Sequence, residues 1–241
     1  MGFTGPIQPD DAEVTLGNRP DEILRRESDW NYAQSCLEAG RYEEARLPLE
    51  RLFRSFPENA ETGHAFFQCQ LALGRLAEAQ ETLEIVLETL PTGVMSLLPR
   101  AELAWAKRDM RQARALVGQA RQLGSNHPPA MRRLGMLLLR LREWDALAEL
   151  ANRALQLDEN DALAWIGLAE AQLRKGEAAK AAASAQRAIR LQFFLPEAHF
   201  VLARALVAQG DWPQARDAMQ TLLKLQPNHR TAPAYLKRMK P

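Results

Sequence analysis

The chain has 241 residues, 46% hydrophobic and 25% charged, with a formal net charge of +1. That hydrophobic share excludes a disordered polypeptide, and the balanced charge carries no global footprint for nucleic acid or an anionic membrane. No run of about 18 apolar residues is present, so no transmembrane helix is expected.

Residues 1–19 lack helical periodicity and carry scattered Gly, Pro and Asp, which predicts an extended arm. No basic-then-apolar leader pattern precedes residue 25, and a cytoplasmic location is expected. Pro20-Asp21-Glu22 opens a helix, since proline suits the first helical position and acids suit the positive end of the dipole. Ile23 and Leu24 are expected to pack on the first repeat. Arm and helix lead-in together occupy residues 1–25.

From residue 26 the chain repeats itself. Gly40-Arg41-Tyr42-Glu43-Glu44-Ala45 recurs as Gly74-Arg75-Leu76-Ala77-Glu78-Ala79 and as Gly210-Asp211-Trp212-Pro213-Gln214-Ala215. Helix stops come after these at Pro57, Pro91 and Pro227. Gly40 and Gly74 are 34 residues apart, and Gly210 lies four further periods on. A strict 34-residue period is the mark of a helix–turn–helix array. The repeats fall at 26–59, 60–93, 94–127, 128–161, 162–195 and 196–229, each with a first helix A and a second helix B. Helix B is amphipathic: Ala79, Leu83, Val86 and Leu90 share one face.

The middle of the array is the least regular. Arg108 and Arg142 stand where glycine is expected in the turn, and Ser125 and Glu159 where proline is expected after helix B. Pro99 precedes Arg100 inside the third helix A, which is therefore expected to start late, with Pro99 in its first turn. Pro48 is expected to bend or weaken the first helix B. Residues 230–241 read as one more helix, from Pro233 to Met239, with a polar outer face suited to capping a solenoid. Cys36 and Cys69 read as small buried side chains rather than a disulfide.

Small or apolar residues fill repeat positions 8 (Ala33, Phe67, Ala101, Gly135, Ala169, Ala203), 20 (Ala45, Ala79, Ala113, Leu147, Ala181, Ala215) and 27 (Leu52, Val86, Ala120, Ala154, Ala188, Leu222). Small residues let helices A and B cross closely while larger ones fill the grooves. This register resembles the tetratricopeptide repeat family over about 204 of the 241 residues. The resemblance implies an all-α, right-handed superhelical solenoid of six repeats plus a C-terminal capping helix. It also implies a monomeric protein–protein interaction scaffold whose concave groove holds a peptide or helical segment of a partner.

In that family helix A lines the groove. The corresponding residues here are Trp30, Gln34, His64 and Gln68 toward the N-terminus, then Leu98, Glu102 and Trp105. Arg132, Arg133, Met136, Arg140, Ile166, Glu170, Arg174, Phe200 and Arg204 come next along the chain. Five guanidinium groups on one wall repel one another unless an anion binds, so an acidic or carboxylate-bearing partner is expected. Reversing Arg133 and Arg174 to Glu is expected to weaken binding without unfolding the array. The carboxylate clamp used by chaperone-tail binders is not matched: Trp30, Gln34, Ala65, Met95 and Pro99 occupy its places.

A second resemblance concerns the ends. Met1-Gly2-Phe3-Thr4-Gly5 is similar to the segment that closes alkaline-phosphatase-superfamily domains in some bacterial proteins, which continue into tetratricopeptide repeats. Leu195-Pro196-Glu197-Ala198-His199-Phe200 is similar to repeats of such proteins. This implies the alternative of a non-catalytic repeat region of a larger hydrolase. No catalytic constellation emerges from the residues themselves. His64, His127, His199 and His229 form no i,i+3 or i,i+4 metal pair. Asp158-Glu159-Asn160-Asp161 reads as a capped turn rather than a calcium loop. An enzyme, a cofactor, a metal and a nucleic-acid partner are all not expected.

Overall fold

The computed structural model describes residues 20–90 and 92–239, and every regular element among them is an α-helix. The chain divides into two compact units, Met1–Pro91 and Thr92–Pro241. The expected arm at 1–19 lies outside the described residues.

The first unit contains α1 (Pro20–Glu38), α2 (Tyr42–Ser55), α3 (Ala60–Ala72) and α4 (Leu76–Thr89). The second contains α5 (Val94–Ala106), α6 (Met110–Leu123), α7 (Pro128–Leu141), α8 (Trp144–Leu157), α9 (Ala162–Arg174), α10 (Ala178–Leu191), α11 (Pro196–Gln209), α12 (Trp212–Leu225) and the short α13 (Ala232–Arg238). From α2 onward each even-numbered helix is 14 residues long and begins 34 residues after the last. Helices α3, α5, α7, α9 and α11 keep the same 34-residue step.

Side chains fix where several helices begin. Asn59 accepts from Thr62 N at 2.9 Å to cap α3, and Asp161 accepts from Ala164 N at 3.0 Å to cap α9. Asp109 and Asp211 do the same for α6 and α12. Asp158 accepts from Asn160 N at 2.9 Å in the turn before α9, so the acidic run serves as turn and cap.

One turn geometry joins helix A to helix B throughout. The residue at repeat position 15 has positive φ in all six cases: Gly40, Gly74, Arg108, Arg142, Gly176 and Gly210. Arg108 (φ 65°) and Arg142 (φ 61°) thus adopt the left-handed conformation that the other repeats give to glycine. A side chain there costs roughly 1–2 kcal/mol, so the packing of the flanking helices imposes the turn on them.

The core runs along the A–B crossings. Ala45, Ala79, Ala113, Ala181 and Ala215 are fully buried, as are Ala33, Phe67, Ala101, Ala169 and Ala203. Cys36 and Cys69 are buried free thiols. The Cys69 Sγ–H donates to Tyr42 O at 3.2 Å. Burial, reinforced by Glu43, pushes this thiol up to about 11.

Two expectations need correction. Helix α5 does not start late: it begins at Val94, and Pro99 sits inside it, buried. The single missing N–H is tolerated because Leu98, Ala101, Leu103 and Ala104 bury the surrounding turns. Pro48 is likewise buried within an unbroken 14-residue α2. Ile23 and Leu24 are exposed rather than packed, because α1 begins several turns before Ala33, where its described residues first become buried.

Candidate functional site

In the second unit, helices α5, α7, α9 and α11 touch in succession, so their exposed faces form a row. Four of the five arginines come together on it, but not as bare charge. Arg133 on α7 donates Nε and Nη2 to Glu102 on α5 at 3.0 and 2.7 Å, a bidentate pair. Glu170 on α9 accepts from Arg174 Nε at 2.8 Å and from Arg204 Nη1 of α11 at 2.6 Å. Glu102 and Glu170 are only 6% and 7% exposed. Much of the counter-charge that the arginines demand is therefore supplied from within.

Aromatic faces hold the guanidiniums from the other side. Arg140 lies 4.7 Å over the Trp105 ring, Arg174 lies 5.3 Å over Trp144, and Arg204 lies 5.4 Å over Phe200. Arg140 makes no ion pair among the described residues. Four guanidiniums thus face two carboxylates, leaving two positive charges in excess. Arg174 is half exposed, with 47% of its side chain accessible, whereas Arg204 keeps only 14%. The excess is reachable at Arg140 and Arg174.

The remaining expected residues fall elsewhere or play other parts. Arg132 lies two turns from Arg140 toward the start of α7 and lines a recess with Leu157, Leu163 and Leu191. Phe200 is covered by its own C-terminal neighbours: Tyr235 meets it edge-on at 5.7 Å and the His229 ring lies 4.9 Å away. His229 Nδ1 accepts from Ala232 N at 3.1 Å, which starts α13. Ile166 packs partly buried on Ala169, Ala185 and Val201. Leu98 is fully buried and belongs to the core, not the surface.

In the first unit Trp30 packs on the cluster of Ala33, Cys36, Ala45 and Leu49. His64 and Phe67 place their ring centres 6.4 Å apart. Gln34 and Gln68 are half-buried on α1 and α3.

The expected reversal of Arg133 does not survive this geometry. A Glu at 133 would face the buried Glu102 and threaten the fold as well as any ligand. Three participants were not legible in their roles from the sequence. Glu102 pairs with an arginine 31 residues later, and Glu170, besides its i,i+4 partner Arg174, with one 34 residues later, so neither long-range role has a local signal. Trp144 opens a helix B, outside the helix A positions that line the face.

Among the described residues no group of three or more His, Cys, Asp or Glu could hold a metal ion. No helix there is long and apolar enough to cross a membrane.

Tetratricopeptide repeat models match residues 30–93, residues 98–162 and 132–193, and residues 196–229. No curated protein matches the sequence. Among solved structures the chain is similar to the APC/C heterotetramer Cut9–Hcn1, with 14% identity, a TM-score of 0.67, and coverage of 90% of this chain and 46% of that one. It is similar to PilF of Pseudomonas aeruginosa, with 16% identity, a TM-score of 0.57, and coverage of 90% and 98%. It is also similar to YrrB, described as a TPR protein with an unusual peptide-binding site, with 16% identity, a TM-score of 0.52, and coverage of 78% and 97%. The matched repeat stretches begin at residue 30 and do not touch Met1–Gly5, so the resemblance to the alkaline phosphatase superfamily gains nothing from them. With the 34-residue step, the buried alanine crossings and the left-handed turns in place, the repeat matches show that the chain belongs to the tetratricopeptide repeat family.

Proposed function

We propose that this protein is a non-catalytic interaction scaffold. Its second unit holds an acidic segment of a partner protein against the α5–α7–α9–α11 face. The observation that carries this is Arg140, stacked on Trp105 with no carboxylate partner among the described residues, beside the half-exposed Arg174. A guanidinium held against an indole is oriented before a ligand arrives, which lowers the ordering cost of binding. The fold shared with YrrB, a protein described with a peptide-binding site, supports the same class of function.

The test is fluorescence anisotropy with a labelled oligoglutamate peptide and a neutral control. Wild type should bind the acidic peptide at low salt, and Arg140→Glu combined with Arg174→Gln should weaken it at least about tenfold. The difference should shrink at high salt, where steering is screened. Circular dichroism should show both proteins folded at the assay temperature, since Arg140 is exposed and Glu170 keeps Arg204 when Arg174 is replaced. If the double variant binds as tightly as wild type, the binding surface lies elsewhere, with Trp30, Gln34 and His64 the next surface to test.

A further inference from the structure

The near-zero total charge hides a division. Residues 1–91, the first unit, hold 17 Asp and Glu against 8 Lys and Arg, a net charge of −9. Residues 92–241, the second unit, hold 13 Asp and Glu against 23 Lys and Arg, a net charge of +10. A partner of a single sign meets both attraction and repulsion: a polyanion drawn to the second unit is repelled by the first. A second copy of the chain is complementary to both units at once.

Each unit has a helix B that carries one sign alone. Helix α4 has Glu78, Glu81, Glu84 and Glu88 and no Lys or Arg. Glu81, Glu84 and Glu88 are exposed and make no ion pair among the described residues. Glu81, Ile85 and Glu88 follow at i, i+4 and i+7, one helix face, and Ile85 is 41% exposed. Helix α10 has Lys180, Arg187 and Arg190 and no Asp or Glu. Arg187 and Arg190, one turn apart near its end, likewise make no ion pair among the described residues.

After α10 the chain turns through Phe193 and Phe194, 51% and 77% exposed. The turn is pinned from inside. The two rings meet edge-on at 5.4 Å, and the buried His199 donates Nε2–H to Phe193 O at 2.9 Å with its own ring edge-on to Phe193. An exposed aromatic already fixed in place loses little freedom on docking, and aromatics are the side chains that anchor interfaces. Helix α4 therefore offers carboxylates around an aliphatic side chain, and the end of α10 offers guanidiniums beside an aromatic one. Together they have the make-up of an interface, an apolar centre inside a charged rim.

We propose that two copies of this chain associate through these surfaces, the α4 face of one meeting the end of α10 and the Phe193–Phe194 turn of the other. In a pair related by a two-fold axis the contact forms twice, so each acidic unit meets a basic one. The charges steer the encounter and select the pairing, while Ile85 and Phe194 supply the apolar contact. The tetratricopeptide resemblance implied a monomer; the divided charge argues for a pair. This association does not draw on Arg140 or Arg174.

The experiment is analytical ultracentrifugation of the full chain. Wild type should associate at about 25 mM salt, with an association constant that falls at least about tenfold by about 300 mM. Glu81→Arg with Glu88→Arg should lower it at least about tenfold, as should Arg187→Glu with Arg190→Glu. Mixing these two double variants should restore association, because each then meets the opposite sign at both contacts. Phe194→Ser should weaken wild type several-fold and leave the salt dependence in place. Circular dichroism should show every variant folded, since the changes lie on the surface. A monomeric wild type at low salt overturns the proposal. Association that survives both reversals, or a mixture that fails to re-associate, overturns these surfaces. Binding of oligo(dT) or phosphatidylserine vesicles to a monomeric wild type, lost in Arg187→Glu with Arg190→Glu, overturns it in favour of a polyanion on α10.

Discussion

The two units place their ion pairs differently. In the first, Arg41–Glu44, Arg46–Glu50, Arg54–Glu50 and Arg75–Glu78 join residues three or four apart on one helix surface. Its longer pairs, Arg51–Asp29 and Arg75–Glu43, also stay largely exposed, with 51% of the Arg51 side chain and 68% of the Glu43 side chain accessible. The second has exposed pairs too, such as Arg121–Glu149 and Lys175–Asp145, but there Arg133–Glu102 and Arg204–Glu170 also bridge successive helices of one face and end on buried carboxylates. Exposed pairs contribute about 0–1 kcal/mol each and tolerate loss. A buried carboxylate has surrendered its water, so losing a partner on either side leaves a charge without compensation. The same ion-pair chemistry is thus decoration where both partners are exposed, and a positioning device at the buried carboxylates of the second unit.

Removing one carboxylate from each region breaks the comparison most sharply. Glu170→Ala strands Arg204, which is mostly buried, and should cost about 3 kcal/mol in urea unfolding. Glu78→Ala, in an exposed pair of the first unit, should stay within about 0.5 kcal/mol of wild type. Similar losses in both variants would erase the distinction between the regions.

A smaller effect should be shared by both regions, because the helix crossings are alike. Ala79 in the first unit and Ala181 in the second are fully buried. Ala79→Leu and Ala181→Leu should each overpack a crossing and cost about 1–3 kcal/mol, read as a fall in melting temperature. An unchanged melting temperature in either would mean that its crossing has room that the burial denies.

The smallest effect has the opposite sign and sharpens the contrast between repeats. Arg108→Gly and Arg142→Gly should raise stability by about 0.5–1 kcal/mol, the relief of left-handed strain less the added freedom of the unfolded glycine. The mirror changes, Gly74→Arg and Gly176→Arg, should lose a similar amount. A loss of stability in Arg142→Gly would show that its side chain contributes more than its backbone costs.

Much of the fold was legible from residues spaced along the chain. Gly40, Gly74 and Gly210 set the period, and the alanines at repeat position 20 set the crossings. Pro99 misled because a proline's local penalty can be outweighed by the burial of its neighbours, which no local rule weighs. Ile23 and Leu24 misled for a similar reason: apolar character does not supply a partner surface. At the candidate site, position along helix A placed Arg133, Arg140, Arg174 and Arg204 on one row of helices, α7, α9 and α11, which touch in succession. Their charge state as a group was misjudged, since Glu102 and Glu170 were counted as surface residues rather than as their partners.

The sequence by itself determined the repeat length, the all-helical class, the turn positions and the buried alanine columns, because each depends on contacts within one or two adjacent helices. Periodicity records such short-range constraints directly. Only the tertiary structure decided which arginines are neutralised and which remain available. For Arg133 and Arg204 that depends on carboxylates about a whole repeat away, on their loss of solvent, and for Arg140 and Arg174 on the indoles of Trp105 and Trp144 approaching from neighbouring helices. Coulombic pairing is set by distance in space and by burial, and neither is written in the spacing of residues along the chain.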